Sequence, residues 1–290
     1  MNRLIGISTL YLQSEYSDKR AIEIAKEIGA DAIDFFLGNE PRTENSLYNK
    51  SDSEIIEYYS NLKAVADSLG IVISQTHGRA SRFDAVTVEK CRLDCIATAA
   101  LGAKVMVVHP ITLDSVPQDS DHEYIRNLNL NLFMSILPFA KECGIKIAME
   151  TLANTGSQID FFGNTDEFFH ACERIEQSEY GDCFTVCLDT GHSHKAVRYG
   201  FEPVDEVILR LGSRITVLHL NDNNGIKDQH KMVFDGSIEW NKVFDSLDEI
   251  GYCGVYNMEI ALGRYGRELM VDYAAFAVKV LREFINKRYA

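Results

Sequence analysis

Six apolar, strand-like runs in this chain each stop at a residue able to bind a metal. They are residues 71–77 (IVISQTH), 105–109 (VMVVH), 146–150 (KIAME), 184–189 (FTVCLD), 215–219 (ITVLH) and 255–259 (VYNME), ending at His77, His109, Glu150, Asp189, His219 and Glu259. A polar or glycine-containing loop follows each run. In a parallel α/β protein, side chains at the C-terminal ends of neighbouring strands converge on one point. Three histidines, two glutamates and one aspartate at such positions describe a metal-centred active site. Of the eight histidines, His77, His109, His192, His219 and His230 fall at strand ends or just after them, whereas His122, His170 and His194 do not and read as surface residues.

The intervening segments have helical character, so strand and helix alternate along the whole chain. Strands are predicted at about 3–9, 32–37 and six further runs ending at 77, 109, 150, 189, 219 and 259. Helices are predicted at about 17–29, 52–69, 85–101, 123–143, 165–176 and 204–211, with a short one before the last of these and a final one at 268–286. Gly29, Gly70, Gly102 and Gly144 stand where helices should stop. Pro138 falls inside the 123–143 segment as an internal kink or break, and residues 39–50, with Pro41, read as a loop. Right-handed βαβ crossovers repeated eight times close into a (β/α)8 TIM barrel of parallel strands, with the active site at its C-terminal mouth. With no linker or low-complexity tract, residues 1–290 are expected to form one domain. An open doubly wound sheet would gather ligands near one switch point, not from six successive strands. Neither a GxxxxGK[ST] loop nor a strand–GxGxxG–helix unit occurs, which disfavours nucleotide cofactors.

Side chains alternate along a strand. If Glu150 faces the barrel interior, so does Ala148; Asp189 takes Cys187 and Thr185 with it, and His219 takes Val217 and Ile215. Those small or apolar residues form a dry plug beneath a ligand layer.

The 290 residues are 46% hydrophobic and carry a formal net charge of −14, which opposes non-specific attraction to nucleic acid or anionic membranes. No run reaches the ~18 apolar residues that a membrane span needs. The N-terminal MNRLIGISTLYLQSE has neither a cationic leader nor a small-residue cleavage site and reads as a first strand, so a cytoplasmic location is expected. The seven cysteines include no CxxC; they lie in strand and helix segments, with Cys183 and Cys187 on the strand leading to Asp189, and read as buried reduced thiols.

The motifs Met149-Glu150-Thr151, Leu188-Asp189-Thr190-Gly191-His192, His219-Leu220-Asn221-Asp222, Asp228-Gln229-His230, Asp235-Gly236-Ser237-Ile238-Glu239-Trp240 and Met258-Glu259 resemble those of the xylose isomerase-like barrels, over nearly the whole chain. That group holds sugar and sugar-phosphate isomerases and epimerases, and also zinc-dependent apurinic/apyrimidinic endonucleases. In its isomerase branch the resemblance implies one divalent metal held by Glu150, Asp189, His219 and Glu259. This mixed donor set suits manganese, magnesium or cobalt as well as zinc, with at least one ion per chain. Glu150 and Glu259 are then the base and acid that move a proton alpha to a carbonyl, through an enediolate. His192, His77, His109 and Arg264 are expected to contact a small carbohydrate substrate. Arg264 is the candidate for a phosphate or carboxylate group, and His192 could instead orient a metal ligand.

The endonuclease branch implies three zinc ions and further ligands, for which His77, His109, His192, Asp228 and His230 are the candidates. A nucleic acid substrate is disfavoured by the acidic charge. The loops after the first three strands also lack a clear mix of basic and aromatic residues, HGRASRF at 77–83 being the nearest to one. The sequence reading is therefore a metal-dependent sugar or sugar-phosphate isomerase or epimerase. The alternatives are a tri-zinc endonuclease-type phosphodiesterase, a dehydratase or hydroxy-acid isomerase of the same superfamily, and a non-catalytic binding barrel. Trp240 is expected to anchor the loop or helix after the seventh strand, and a homo-oligomer is compatible with the chain.

Overall fold

Short apolar runs with polar ends become short strands here: β1 (Ile5–Ser8), β2 (Ala32–Phe36), β3 (Val72–His77), β4 (Val105–Val108), β5 (Lys146–Glu150), β6 (Phe184–Asp189), β7 (Ile215–His219) and β8 (Tyr256–Met258). This is a computed structural model, and it describes residues 3–37, 49–78, 82–111, 122–152 and 164–290. The strands pair in the order β7-β6-β5-β4-β3-β2-β1-β8, and the paired neighbours are parallel. Across the remaining seam, Leu220 N–H donates to Asn257 O at 2.8 Å and Glu259 N–H to Leu220 O at 3.2 Å. The sheet thus comes close to a closed barrel, as expected for a (β/α)8 fold.

Around it lie α1 (Leu10–Glu15), α2 (Asp18–Glu27), α3 (Asp52–Leu69), α4 (Ala85–Ala100), α5 (His122–Cys143), α6 (Thr165–Glu176), α7 (Thr190–Ala196), α8 (Val204–Leu211), α9 (Trp240–Glu249) and α10 (Met270–Arg288). Local chemistry explains several boundaries. Ser51 and Glu54 form a reciprocal capping box at the start of α3, and Gly70, at φ +63°, ends it. Asn164 caps α6, its side chain accepting from Asp166 N–H. Pro138 does not break α5, which continues through it to Cys143. The six-residue α1 was not expected; Thr9 precedes it without a side-chain capping bond.

β1 and β2 stop at Ser8 and Phe36, one residue short of the expected ends, and two of the six ligand-bearing strands do the same. β4 stops at Val108 and β8 at Met258, so His109 and Glu259 stand just beyond the ladder. The predicted loop at 39–50 lies largely outside the described residues, as do positions 79–81 of the HGRASRF segment. His170 is exposed, whereas His194 is half-buried with its Nε2 2.9 Å from Ser237 Oγ. The side chain of His122 lies outside what is described. Of the cysteines, Cys253 is exposed, Cys143 and Cys183 are half-buried and the other four are buried; Cys183 precedes β6 instead of lying on it.

The core divides as alternation requires. One large cluster fills the space between sheet and helices; a second, of Val107, Ala148, Cys187 and Val217, forms the plug inside the barrel. Ile215 departs from its expected inward place and joins the outer cluster. The β6–β7 register skips a residue there, Val186 pairing with Ile215 and Cys187 with Val217, which breaks the strict alternation.

The long connection after β7 is tied down by its own polar groups. Asp222 and Lys231 exchange both backbone hydrogen bonds at 2.9 Å, and Trp240 Nε1–H donates to Asp222 Oδ2 at 2.8 Å. The other oxygen of this buried carboxylate accepts from Asn223 and Ile238 N–H. Trp240 is therefore an anchor for the connection. Replacing it with Phe removes a donor to a buried carboxylate and is expected to cost about 1–3 kcal/mol, measured as a fall in the denaturant midpoint.

Candidate metal centre

At the C-terminal mouth, β5, β6 and β7 deliver Glu150, Asp189 and His219 as their last residues, and Glu259 follows β8. One ligand atom from each lies within 4.8 Å of the others. His219 Nδ1 is the common point: Glu150 Oε2 lies 3.2 Å and Glu259 Oε2 3.3 Å from it. Glu150, Asp189 and His219 are fully buried, and Glu259 is 6% exposed.

The remaining predicted residues crowd the same space. His109 Nε2 is 3.0 Å from Glu150 Oε2, outside hydrogen-bond alignment, and His77 Nδ1 is 3.5 Å from Glu259 Oε1. The His77 and His219 rings are stacked at 5.2 Å. On the other side, His192 Nε2 and His230 Nε2 approach the two oxygens of Asp228 at 3.3 and 3.4 Å. His192 Nδ1 lies 2.8 Å from Thr151 O and His230 Nδ1 3.0 Å from Glu259 O, so each ring donates there and turns its Nε2 to Asp228. His230 adopts φ +42°, an uncommon conformation for a non-glycine residue and one that concentrates at functional sites.

The fit to cations is tested by the unpartnered atoms. Both oxygens of Glu150, His77 Nδ1, His109 Nε2 and His219 Nδ1 are buried without hydrogen-bond partners. Buried charge is costly unless paired or metal-bound, and carboxylate oxygens with imidazole nitrogens form a donor set for a divalent ion. The residues fit the group.

Electrostatics in the metal-free cluster follow from this crowding. Burial pushes the Glu150 carboxyl up, but His109 and His219 outweigh it and hold the pKa well below the usual carboxylate range. Burial likewise opposes ionisation of Glu259, and His219 and His77 overcome it. For Asp189 burial prevails and the pKa is raised. Burial lowers His192 and His219, yet Asp189 and Asp228 carry the first, and Cys187, Glu259 and Glu150 the second, well above the ordinary histidine value. Burial lowers His230, but the Asp228 hydrogen bond together with the charges of Glu259 and Asp189 outweighs it and pushes His230 up to about 9.

Several supporting residues escaped the sequence reading. Asp34 Oδ2 lies 2.8 Å from His219 Nε2, and Gln75 Nε2 is 3.1 Å from the same atom. Asn221 Nδ2–H donates to Asp189 Oδ2 at 2.7 Å, while His192 N–H donates to Oδ1 at 2.7 Å. Cys187, expected as plug, also has its Sγ near Glu150 and His219. Gly191 has a local reason: a Cβ there would sit 1.9 Å from Asn221 Oδ1. The signal available for Asp34 was an acid within the apolar run AIDFF. Arg264 lies on the exposed turn after β8, where its guanidinium donates to Gln229 O, between Asp228 and His230.

Comparison with known proteins gives the family and the fold. The chain is 29% identical over 179 residues to an uncharacterized protein of Methanocaldococcus jannaschii, covering 59% of this chain and 57% of that one. The chain thus spans less than two thirds of that relative's length. It is 27% identical over 238 residues to a probable endonuclease 4 of Geobacillus kaustophilus, covering 75% of this chain and 73% of that protein. Among solved structures, a D-tagatose 3-epimerase-like protein superposes with a TM-score of 0.74 at 22% identity, covering 99% of this chain and 100% of that one, a likeness of fold. Residues 22–279 match the model of the xylose isomerase-like TIM barrel, the family to which this chain belongs.

Proposed function

We propose that the protein is a divalent-metal-dependent sugar or sugar-phosphate isomerase or epimerase. The observation that carries this reading is the placement of two carboxylates, Glu150 and Glu259, 3.2 and 3.3 Å from one histidine nitrogen, with Asp189 beside them. Glu150, Asp189, His219 and Glu259 would hold the ion. When bound, a divalent cation polarises a carbonyl and its neighbouring hydroxyl and so acidifies the carbon between them. Glu150 and Glu259 come from strands with two others between them, and supply one group to take a proton from that carbon and one to return it. His192, His77 and His109 line the same space and offer hydrogen bonds to substrate hydroxyls. Arg264, at its edge, is the group for a phosphate or carboxylate. The epimerase-like fold neighbour supports a carbohydrate substrate.

A second reading has its own observation. His77 and His109 meet Glu150 and Glu259, and Asp228, His192 and His230 form a separate donor triad with ring orientations already set. That is room for more than one ion, as a zinc phosphodiesterase of the endonuclease type would need, and the Geobacillus relative favours it.

Three outcomes are expected. In deuterated water, the wild type should exchange the proton alpha to the carbonyl of a ketose from a free and phosphorylated panel. Glu150→Gln or Glu259→Gln should abolish that exchange with the fold intact by circular dichroism; full exchange in both variants sinks the roles given to them. Elemental analysis of protein purified without added metal should find at least one divalent ion per chain. Two or three zinc ions, with nicking of an abasic duplex, would select the second reading.

The third outcome concerns pH. His230 is ordinarily at 6.5 and stands at about 9 here. In the metal-free protein its ion pair with Asp228 therefore adds stability that is full below pH 6.5 and lost as pH rises through about 9. A cation taking Nε2 must displace that proton. Zinc titrations at pH 7 in two buffers of different ionisation enthalpy should show proton release, and zinc affinity should rise with pH towards about 9. Binding without proton release would remove His230 from the ligands.

A further inference from the structure

His219 is oriented differently from the other histidines of the centre. His192 and His230 have a ring nitrogen on a backbone carbonyl, whereas His219 has Nε2 on the carboxylate of Asp34, at 2.8 Å. Asp34 stands mid-strand on β2, paired in register with Ser8 on one side and Gln75 on the other. Both Asp34 and His219 are fully buried, and Asp34 Oδ1 has no partner. A carboxylate in that position is costly unless a donor reaches it, and the donor that does is the His219 ring. With one proton held on Nε2, Nδ1 is the nitrogen that faces Glu150 and Glu259, and its proton is the one a cation would displace. The Gln75 amide agrees with this arrangement once it is turned over. Its Oε1, now unpartnered, would then take the place of Nε2 at 3.1 Å and accept from the same N–H.

We propose that Asp34 is a positioning residue: it holds the His219 proton on Nε2 and thereby commits Nδ1 to the cation. The inference rests on the metal reading above. A ring free to carry its proton on Nδ1 would present N–H to the site and repel a cation. The charge of Asp34 also makes the opposite nitrogen a stronger donor.

The test uses the full-length wild type, Asp34→Asn and Asp34→Ala, with zinc as the probe. Asn keeps the shape of the side chain, loses its charge, and can present an N–H where a carboxylate oxygen stood. Zinc affinity is expected to fall about 10- to 100-fold in Asp34→Asn, with the melting curve of the metal-free protein little changed. In 15N-histidine spectra of the metal-free wild type, a slowly exchanging His219 Nε2–H is expected, and its protection should be lost in Asp34→Ala. Equal zinc affinity in wild type and Asp34→Asn would overturn the proposal. So would a wild-type His219 with no protected Nε2–H. If the wild type takes up neither zinc nor manganese, magnesium or cobalt, the metal reading fails, and the spectra still decide whether Asp34 holds this proton.

Discussion

The structure turns on acids buried at the barrel mouth with imidazoles as their partners. Glu150, Asp189 and Glu259 are essentially removed from solvent, and Asp34 is buried one layer beneath. Among the described residues, the ion pairs of Glu150, Asp189, Asp228 and Glu259 are to histidines, with no lysine or arginine among them. An arginine would satisfy a carboxylate permanently, because it cannot give up its proton in a protein. Histidine is different: it offers a charge while protonated and a lone pair once it is not. A site built this way can exchange its protons for an ion. That favours a metal centre over a structural network of buried ion pairs.

Orientation is the second requirement, and the chain meets it with fixed acceptors around the rings. Carbonyl oxygens of Thr151 and Glu259 face His192 and His230, and Asp34 faces His219. The acceptors belong to the barrel frame: Thr151 follows β5, Glu259 follows β8 and Asp34 is on β2. The nitrogens left over point inward because strand ends and sheet register put the acceptors behind them. Asp189 is managed differently, by Asn221 and a backbone N–H, and Gly191 keeps the space that Asn221 needs.

Much of this was legible in the sequence, for reasons that are local. Apolar runs that stop at a polar residue mark strand ends directly, and β3, β5, β6 and β7 end where the runs do. Gly70 marks the end of α3 because it adopts a left-handed conformation there. What escaped depends on three dimensions. His109 and Glu259 fall one residue past their strands because pairing stops before the hydrophobic run does. The place of Ile215 depends on a register shift between two strands, which no single run encodes. Asp34 was hidden by its surroundings: an acid among Ala, Ile and Phe looks like an interruption until a histidine from β7, 185 positions away, arrives against it.

The same geometry bears on how one fold can host both readings of its function. Glu150, Asp189, His219 and Glu259 form a compact group around His219 Nδ1, sufficient for one ion and a proton transfer. The Asp228, His192 and His230 group is displaced to one side and is carried largely by the connection after β7, which Asp222, Lys231 and Trp240 pin to the barrel. His192 stands between the two groups, its Nδ1 3.4 Å from Glu150 Oε1 and its Nε2 3.3 Å from Asp228 Oδ2. A ring nitrogen donating to a carbonyl cannot also ligate, so only Nε2 is free to act. His192 can therefore contact a substrate hydroxyl beside a single ion or complete a second donor set with Asp228, but one lone pair cannot do both at once.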